Sequence, residues 1–477
     1  MNNFNISNKD TFYFSLIHYF VLALHICRGL FLAKYLGATG FGLYGLVLLA
    51  QQQISASALG MREAITLKLS GEDEQSKDYI STINSTLIFT IFVGFLLLIS
   101  GFISFFEKER LSNVHPIGEY LYFICFHGVF SISSEVIRNI LRIKGKILYV
   151  GVIDLIYGLS IICWALIIIF FEKDLFTFFT LSLVTNICIF FIYFYEIFNL
   201  LNLKFQLRKI FNLISLGFPL LILNVSTILM ISIGQWIVGF QDNLYNLGLF
   251  GFAVSIASIV NHGLGSITWA YFSSMIAEYK VASKNRVSEL SRTIRGYLFV
   301  CFIILLIFTS FLYSYFIEVF FKEYESTYFI FLMIFYSQFI QLFSYPDNAL
   351  LLARKKINQV SMISIFSCLF MSTLSIFIYN NYDFFSLIFF QKIELISIII
   401  FLGNLLYMIG VLRLSRAYKE KPQDLNFLIY LCFHIVVFLF FQKMNMPLIS
   451  VLILIFFLVI FHRRSSASLF RILKDVF

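Results

Sequence analysis

Charged side chains inside apolar stretches are the residues of this sequence best placed to do chemistry. Arg28, Arg62 and Lys392 are cations within such stretches or near their ends, and Asp154 and Asp347 are acids within them. Ionisable groups are costly in a bilayer, and they usually mark ligand or ion pathways or pair with one another. A planar guanidinium suits bidentate contacts with a phosphate, whereas an intramembrane acid suits proton or sodium coupling or pairing with an arginine.

Each of these five residues also has a structural interpretation. Arg28 and Arg62 could reach the outer and inner lipid headgroups along their flexible stems, and Lys392 could reach outward in the same way. Asp154 and Asp347 lie nearer the predicted cytoplasmic side, where water could solvate them. The sequence leaves both interpretations open.

Uncharged polar residues within the apolar stretches form a second set of candidates. Gln52, Asn224 and Asn261 could hydrogen-bond a sugar, and hydrogen bonding between helices is the alternative. The seven cysteines and the histidines show no metal-ligand spacing. There is also no nucleotide-binding Gly-Lys-Ser/Thr loop, no His-Glu-x-x-His and no nucleophile elbow. We therefore expect no metal, no cofactor and no enzymatic activity.

The elements that must position these residues are membrane-spanning helices. The chain is 60% hydrophobic and only 13% charged, and its apolar stretches are long enough to cross a hydrocarbon core of about 30 Å. The pattern predicts an all-α polytopic membrane protein with about fourteen transmembrane helices and short loops. The predicted spans are 12–35, 42–65, 80–106, 118–138, 147–171, 174–200, 213–240, 247–273, 296–320, 328–352, 358–379, 386–412, 425–442 and 447–462.

The distribution of basic residues predicts the topology. About 26 of the 35 basic residues fall on one side of these spans if the N-terminus is cytoplasmic. Both termini are then cytoplasmic. The same asymmetry accounts for the net charge of +9 without a nucleic-acid partner, because the basic residues flank membrane segments.

An internal repeat organises the predicted spans. The run Gly42-Leu43-Tyr44-Gly45 recurs as Gly248-Leu249-Phe250-Gly251 at an offset of about 206 residues, or six spans. Because six is even, the two copies enter the membrane in the same direction, which predicts parallel repeats around a central cavity. The domains are then a six-helix lobe at 1–212, a second at 213–424, and a helix pair with a basic tail at 425–477. The alternatives are chance recurrence and a helix-packing role for the glycines.

Two segments carry a resemblance to a known family. The first runs from Arg28 to Gly45 and continues from Ala58 to Ala64, and the second is Gly217-Phe218-Pro219-Leu220 with Asn224. They resemble the polysaccharide repeat-unit flippases, the Wzx-type O-antigen flippases of the MATE-like (MOP) transporter superfamily. The resemblance covers both six-helix lobes and places a cavity arginine at Arg28.

The resemblance implies a function. The cargo would be an undecaprenyl-diphosphate-linked oligosaccharide for lipopolysaccharide or a related surface polysaccharide, moved from the inner to the outer leaflet of a bacterial inner membrane. A polysaccharide polymerase and a chain-length regulator would be partners. Cations within the spans would bind the diphosphate, and polar groups would bind the sugars.

Two other functions remain open at this point. One is a cation-coupled multidrug or metabolite exporter of the same superfamily, which acids rather than arginines in the cavity would favour. The other is a membrane-embedded glycosyltransferase or polymerase. Such enzymes tend to carry a large outside loop, and the predicted outside loops here are all short.

Overall fold

The computed structural model describes residues 8–55, 60–69, 76–198, 206–382 and 391–419, and every regular element among them is a helix. Nine of the helices in these ranges are long and apolar enough to cross a membrane. The predicted all-α polytopic fold class is therefore confirmed.

Fourteen α-helices are present in the described ranges. In chain order they are α1 (Asn8–Ser55), α2 (Met61–Leu69), α3 (Lys77–Phe106), α4 (Lys108–Val114), α5 (Leu121–Ile143), α6 (Ile147–Phe170), α7 (Leu175–Ile197), α8 (Leu207–Gln241), α9 (Leu244–Val281), α10 (Lys284–Phe320), α11 (Tyr328–Phe343), α12 (Tyr345–Ala353), α13 (Ile357–Asn380) and α14 (Lys392–Ser415). Short 3₁₀ turns precede α5 and α11 and follow α14.

Ten of the first twelve predicted spans each overlap a single helix or half of one. The second span departs because Gly60, with φ of 76°, lies between the end of α1 and α2, and the tenth, 328–352, is divided between α11 and α12. The predicted spans 13 and 14 and the basic tail lie outside the described residues, as does the domain 425–477. The division into lobes at 1–212 and 213–424 stays a prediction.

Local sequence explains where several helices begin. The hydroxyl of Ser76 accepts a hydrogen bond from the N–H of Tyr79 and caps α3. Asp174 caps α7 in the same way, accepting hydrogen bonds from the hydroxyl and the N–H of Thr177. These two bonds favour the ionised carboxylate and lower the pKa of Asp174.

A sharp turn at Gly37 divides α1. Its φ of 63° suits glycine, and the turn takes the N–H of Ala38 away from its helical acceptor. The carboxylate of Glu323 accepts from the Ala38 N–H at 3.1 Å, and the hydroxyl of Tyr324 donates to the Ala33 carbonyl at 3.0 Å. The 3₁₀ turn before α11 therefore satisfies the N–H of Ala38 and adds a hydrogen bond to the backbone before the turn.

Contacts divide the chain into two compact units. The first comprises Met1–Ile267, Phe316–Ile340 and Lys356–Tyr407, and the second comprises Thr268–Tyr315, Gln341–Lys355 and Met408–Phe477. In the first unit, apolar side chains of α2, α3, α5, α6 and α7 share a core that includes Ile65, Tyr79, Ile137, Ile153 and Ile189. In the second, a smaller core holds Met275, Tyr279, Val287, Ala349, Leu350 and Ala353.

Two glycines of the internal repeat pack against each other inside the first unit. A Cβ atom on Gly42 would overlap the carbonyl oxygen of Leu244, and one on Gly248 would overlap the carbonyl oxygen of Ala38. Each carbonyl lies four residues before the partner glycine, so the contact is reciprocal. Reciprocal contact between equivalent positions is what a two-fold relation produces. The packing of α1 against α9 therefore agrees with the predicted repeat, which itself stays a prediction.

The predicted topology can be checked where the described residues end. We expect a reporter fused after Lys421 to lie in the cytoplasm and one fused after Lys443 to lie on the other side of the membrane, because spans 13 and 14 should form a hairpin. Paired alkaline phosphatase and fluorescent-protein fusions measure this directly. The reverse pattern would mean that one span is miscounted.

Candidate functional site

Arg28 belongs to the first half of α1, and its side chain lies against tyrosine side chains. Its guanidinium carbon is 6.0 Å from the centre of the Tyr44 ring, a cation–π geometry. Tyr44 belongs to the second half of α1, so the contact requires the two halves to run side by side after the turn at Gly37. The ring of Tyr44 is held by Phe178 and Phe179 of α7, with ring centres 5.8 and 6.1 Å away.

Two polar atoms at this contact, Nε of Arg28 and the hydroxyl of Tyr44, are buried without a well-aligned hydrogen bond in the described part of the chain. The guanidinium and the hydroxyl still lie close enough to interact with each other as side-chain donor and acceptor. The same arginine lies within electrostatic range of Tyr157 on α6, whose ring is 6.4 Å from that of His25. Buried polar groups are normally satisfied. An anion or hydroxyl-bearing ligand at this position would satisfy both atoms.

Asp154 is paired rather than open to solvent. Its carboxylate accepts a hydrogen bond from Nη2 of Arg138 at 2.5 Å and lies 3.5 Å from the hydroxyl of Tyr193 on α7. Pairing with an arginine is one of the interpretations that the sequence allows for this residue. Its proposed part in ion coupling stays a prediction.

Arg62 is paired across a helix boundary in the same unit. Nη1 of Arg62, on α2, lies 3.0 Å from a carboxylate oxygen of Glu135 on α5. The side chains remain 42% and 34% exposed, so the pair is accessible from one side. Arg142 follows one turn after Arg138 on α5, and its guanidinium lies within electrostatic range of those of Arg138 and Arg62.

Helix α6 carries one residue from the surroundings of Arg28, Tyr157, and one from the pair with Arg138, Asp154. Asp154 and Tyr157 are three residues apart and therefore lie on the same helical face, about 4.5 Å apart along the axis. The surroundings of Arg28 and the Arg138–Asp154 pair are thus adjacent. We call the combined set the arginine cluster, and its charged members are Arg28, Arg62, Arg138, Arg142, Glu135 and Asp154. It holds four cations and two carboxylates.

The other predicted site residues lie elsewhere. Nζ of Lys392 is 4.8 and 5.3 Å from the ring centres of Tyr379 and Tyr382. Gln52 has an exposed side chain on α1, and Asn224 is half-buried on α8. Asn261 lies within α9, and its side chain is outside the described residues. The roles of all four stay predictions.

Asp347 lies in the second unit, between two cations. Its carboxylate is fully buried and forms ion pairs with Arg295 and with Nζ of Lys419, the latter at 2.6 Å. Arg295 also lies over the ring of Phe343, 5.2 Å from its centre. A coupling cation at Asp347 would have to displace both basic side chains.

Sequence reasoning missed three members of the arginine cluster. The charge pattern assigns Arg138 and Arg142 to the loops that set the topology, and it does not single out Glu135. Their spacing carries the signal that could have found them, because Glu135, Arg138 and Arg142 recur at three and four residues and so share one helical face. Among the described residues, no group of three or more His, Cys, Asp or Glu side chains could hold a metal ion.

Comparisons with known proteins identify the fold. No family model and no curated protein matches the sequence. Among solved structures, the lipid II flippase MurJ in an inward closed conformation matches with a TM-score of 0.70 and 15% identity, over 95% of this chain and 100% of that one.

Multidrug transporters of the same fold also match. An inward-facing MATE family transporter of the MOP superfamily has a TM-score of 0.61 and 14% identity over 83% of this chain and 93% of that one. The MATE multidrug transporter DinF-BH has a TM-score of 0.59 and 16% identity over 86% and 96%. The chain is therefore a multi-pass membrane protein with the fold that MurJ and the MATE transporters share.

Proposed function

We propose that this protein is a flippase for undecaprenyl-diphosphate-linked oligosaccharide repeat units, which it moves from the cytoplasmic to the periplasmic leaflet by alternating access. The proposal rests mainly on the arginine cluster, which brings four guanidinium groups close together in the described part of the first unit. Arginine presents a planar fork of donors that matches phosphate oxygens. A diphosphate carries negative charge and acceptor oxygens that complement such a group of arginines.

The fold supports a lipid-linked cargo. The structure named as a lipid II flippase aligns with 95% of this chain. A flippase must lead a charged headgroup through the membrane while the lipid tail stays in the bilayer, because a charge in hydrocarbon costs several kcal/mol or more. Membrane-embedded cations lower that barrier for an anionic headgroup. In this pathway a polymerase and a chain-length regulator would act on the flipped units.

The MATE neighbours favour a second candidate, a cation-coupled multidrug exporter. An exporter of cationic drugs needs carboxylates that are available to the drug or to the coupling ion. In the arginine cluster, both carboxylates are already bound to arginines, at 3.0 Å for Glu135 and 2.5 Å for Asp154. This charge balance favours an anionic cargo.

Arg28 tests the proposal. We expect Arg28→Ala to abolish surface polysaccharide in a flippase-deficient strain at normal membrane expression, because the half-buried cation beside Tyr44 is lost. Arg28→Lys should retain partial function as a point charge. The control is Arg413→Ala, which removes an exposed arginine in the last turn of α14 and should leave transport unchanged.

The measurement is surface polysaccharide together with the lipid-linked intermediates that accumulate in the cells. Normal polysaccharide with the Arg28→Ala variant would remove Arg28 from the mechanism. Unchanged glycan in a deletion strain, with altered sensitivity to cationic drugs, would support the exporter.

A further inference from the structure

The 3₁₀ turn between α10 and α11 holds the backbone of α1 on both sides of Gly37. The carboxylate of Glu323 accepts a hydrogen bond from the N–H of Ala38, and the hydroxyl of Tyr324 donates one to the carbonyl of Ala33. Ala33 belongs to the first half of α1, and Ala38 begins the second half. One short segment of the second predicted lobe therefore binds both halves of a helix from the first.

Aromatic rings pack the same 3₁₀ turn against α1 and α9. The ring of Tyr324 stacks on that of Phe252, on α9, with centres 4.1 Å apart, and it meets Phe41, on α1, edge-on at 6.4 Å. Phe41 and Phe252 also contact each other, with centres 6.2 Å apart. All three rings are buried. Burial of such large rings stabilises the contact between the turn and both helices.

Ala38 is held from two directions. Its N–H is bound by Glu323, and its carbonyl oxygen packs so close to Gly248 of α9 that no Cβ atom would fit there. The second half of α1 begins at Ala38, so the positive end of this helix faces the Glu323 carboxylate. A hydrogen bond to an ionised acceptor is roughly twice as strong as a neutral one. Glu323 therefore stabilises α1 at the point where it meets α9.

These contacts lie within the first compact unit, at the end that the predicted topology places outside. They join the two predicted lobes there. Alternating access requires the lobes to separate at this end in one state of the cycle. The side chain of Glu323 is exposed, so water can replace it on the Ala38 N–H when the lobes separate. The bond can therefore be broken and formed again in each cycle.

We propose that Glu323 and Tyr324 form an outer clasp, which holds the outer end closed and releases when cargo leaves. The clasp rests on the alternating access of the proposed function and does not depend on the identity of the cargo. Arg28 and Tyr44 belong to different halves of α1, so the closed clasp also keeps the candidate site assembled. Release lets the two halves move at Gly37, where glycine permits a wide range of backbone angles.

A reporter cysteine at position 45 shows whether the outer end is open. Gly45 lies one turn further along α1 than Phe41 and Gly42, on the same helical face. A Cβ atom there would meet no described atom within 4 Å, so Gly45→Cys should fold normally. In right-side-out vesicles, a membrane-impermeant maleimide reaches this position only when the outer end opens. The labelling rate is then proportional to the open fraction of the protein.

Three substitutions in the clasp are compared in the Gly45→Cys protein. Each bond is lost in one variant, and we expect labelling to be about tenfold faster with Glu323→Ala and about fivefold faster with Tyr324→Phe. Glu323→Gln keeps an acceptor oxygen for the Ala38 N–H and should label at close to the wild-type rate. The matched control is Glu325→Ala on the same turn. Glu325 is exposed and forms no hydrogen bond or ion pair with the described residues, so its removal should not change labelling.

A second reporter separates opening of the clasp from loss of the fold. Ser375 is buried on α13, a helix that carries no clasp residue, and Ser375→Cys replaces a single oxygen by sulfur. Its labelling and the thermal midpoint should be the same with and without the clasp substitutions. Each protein is also compared with the same protein without its reporter, which corrects for the seven native cysteines.

Three outcomes overturn the proposal in distinguishable ways. If Gly45→Cys labels at the same slow rate with and without Glu323→Ala and Tyr324→Phe, the clasp fails and alternating access stands. If Glu325→Ala or the Ser375→Cys reporter shows the same acceleration, the substitutions loosen the protein in general and the clasp fails. If Gly45→Cys is not labelled in any of these proteins, the outer end does not open, and the proposed alternating access fails with the clasp.

Discussion

Gly42→Ala is expected to prevent stable folding, because no space exists for the added methyl group. The methyl would overlap the carbonyl oxygen of Leu244 and approach the backbone nitrogen of Gly248 to 2.9 Å. These atoms belong to the backbone of α9 and cannot rotate away. Overpacking a core costs about 1–3 kcal/mol when side chains can yield. Here the helices themselves must separate, so we expect at least the upper end of that range.

The reciprocal variant gives an independent measurement of the same contact. Gly248→Ala would overlap the carbonyl oxygen of Ala38 at the start of the second half of α1. Because the two positions are related by the internal repeat, we expect both variants to have similar effects. Combining them should cost less than the sum of the single effects, since separating α1 from α9 once relieves both overlaps.

The repeat also supplies matched controls for this experiment. A methyl group at Gly45 would have no described atom within 4 Å, and one at Gly251 would meet only Nε2 of Gln235, at 3.4 Å. Gly45→Ala and Gly251→Ala should therefore fold as the wild type does. Monodisperse yield in detergent and the thermal midpoint are the measurements. Wild-type behaviour of Gly42→Ala would show that α1 and α9 do not pack as closely as described.

The membrane-spanning helices and the close contact at Gly42 and Gly248 could be predicted because each leaves a local mark in the sequence. Apolar stretches of sufficient length identify α3, α6 and α13 to within a few residues. The paired glycines at 42 and 248 mark a close approach of two helices, which small residues permit. The break at Gly60 was missed, since a single glycine hardly changes the hydropathy of a long window.

The arginine cluster could be predicted only in part. Charge inside an apolar stretch pointed to Arg28, Arg62 and Asp154, and all three are in the first unit. Their partners Glu135 and Arg138 were not foreseen, because partner choice depends on how α2, α5 and α6 are rotated about their axes. Arg138 and Arg142 resemble the loop residues that set membrane topology. The structure shows that α5 continues to Ile143, so both arginines are on the helix and not in a loop.

Replacing Asp347 is also expected to destabilise the protein strongly. Asp347→Asn would remove the carboxylate with which both Arg295 and Lys419 pair; their side chains are 5% and 2% exposed. Removing one partner of a buried ion pair typically costs about 3–5 kcal/mol. We therefore expect a large fall in thermal stability and in the yield of folded protein.

Asp78 is the matched control for this experiment. It also lies between two basic side chains, Lys68 at 3.3 Å and Lys209 at 2.5 Å, but its own side chain is 50% exposed. Water can solvate the remaining charges there, so Asp78→Asn should cost no more than about 1 kcal/mol. The two variants make the same chemical change, an acid between two cations becoming an amide, and they differ chiefly in burial.

A second substitution separates a structural role of Asp347 from ion coupling. If its carboxylate serves to balance buried charge, Lys419→Met in the Asp347→Asn background should restore part of the lost stability, because one uncompensated cation is removed. If the carboxylate instead binds a coupling ion, Asp347→Asn should fold normally, lose transport and gain nothing from the second change. Thermal unfolding and complementation, measured on the wild type and these two variants, therefore assign the residue to one role.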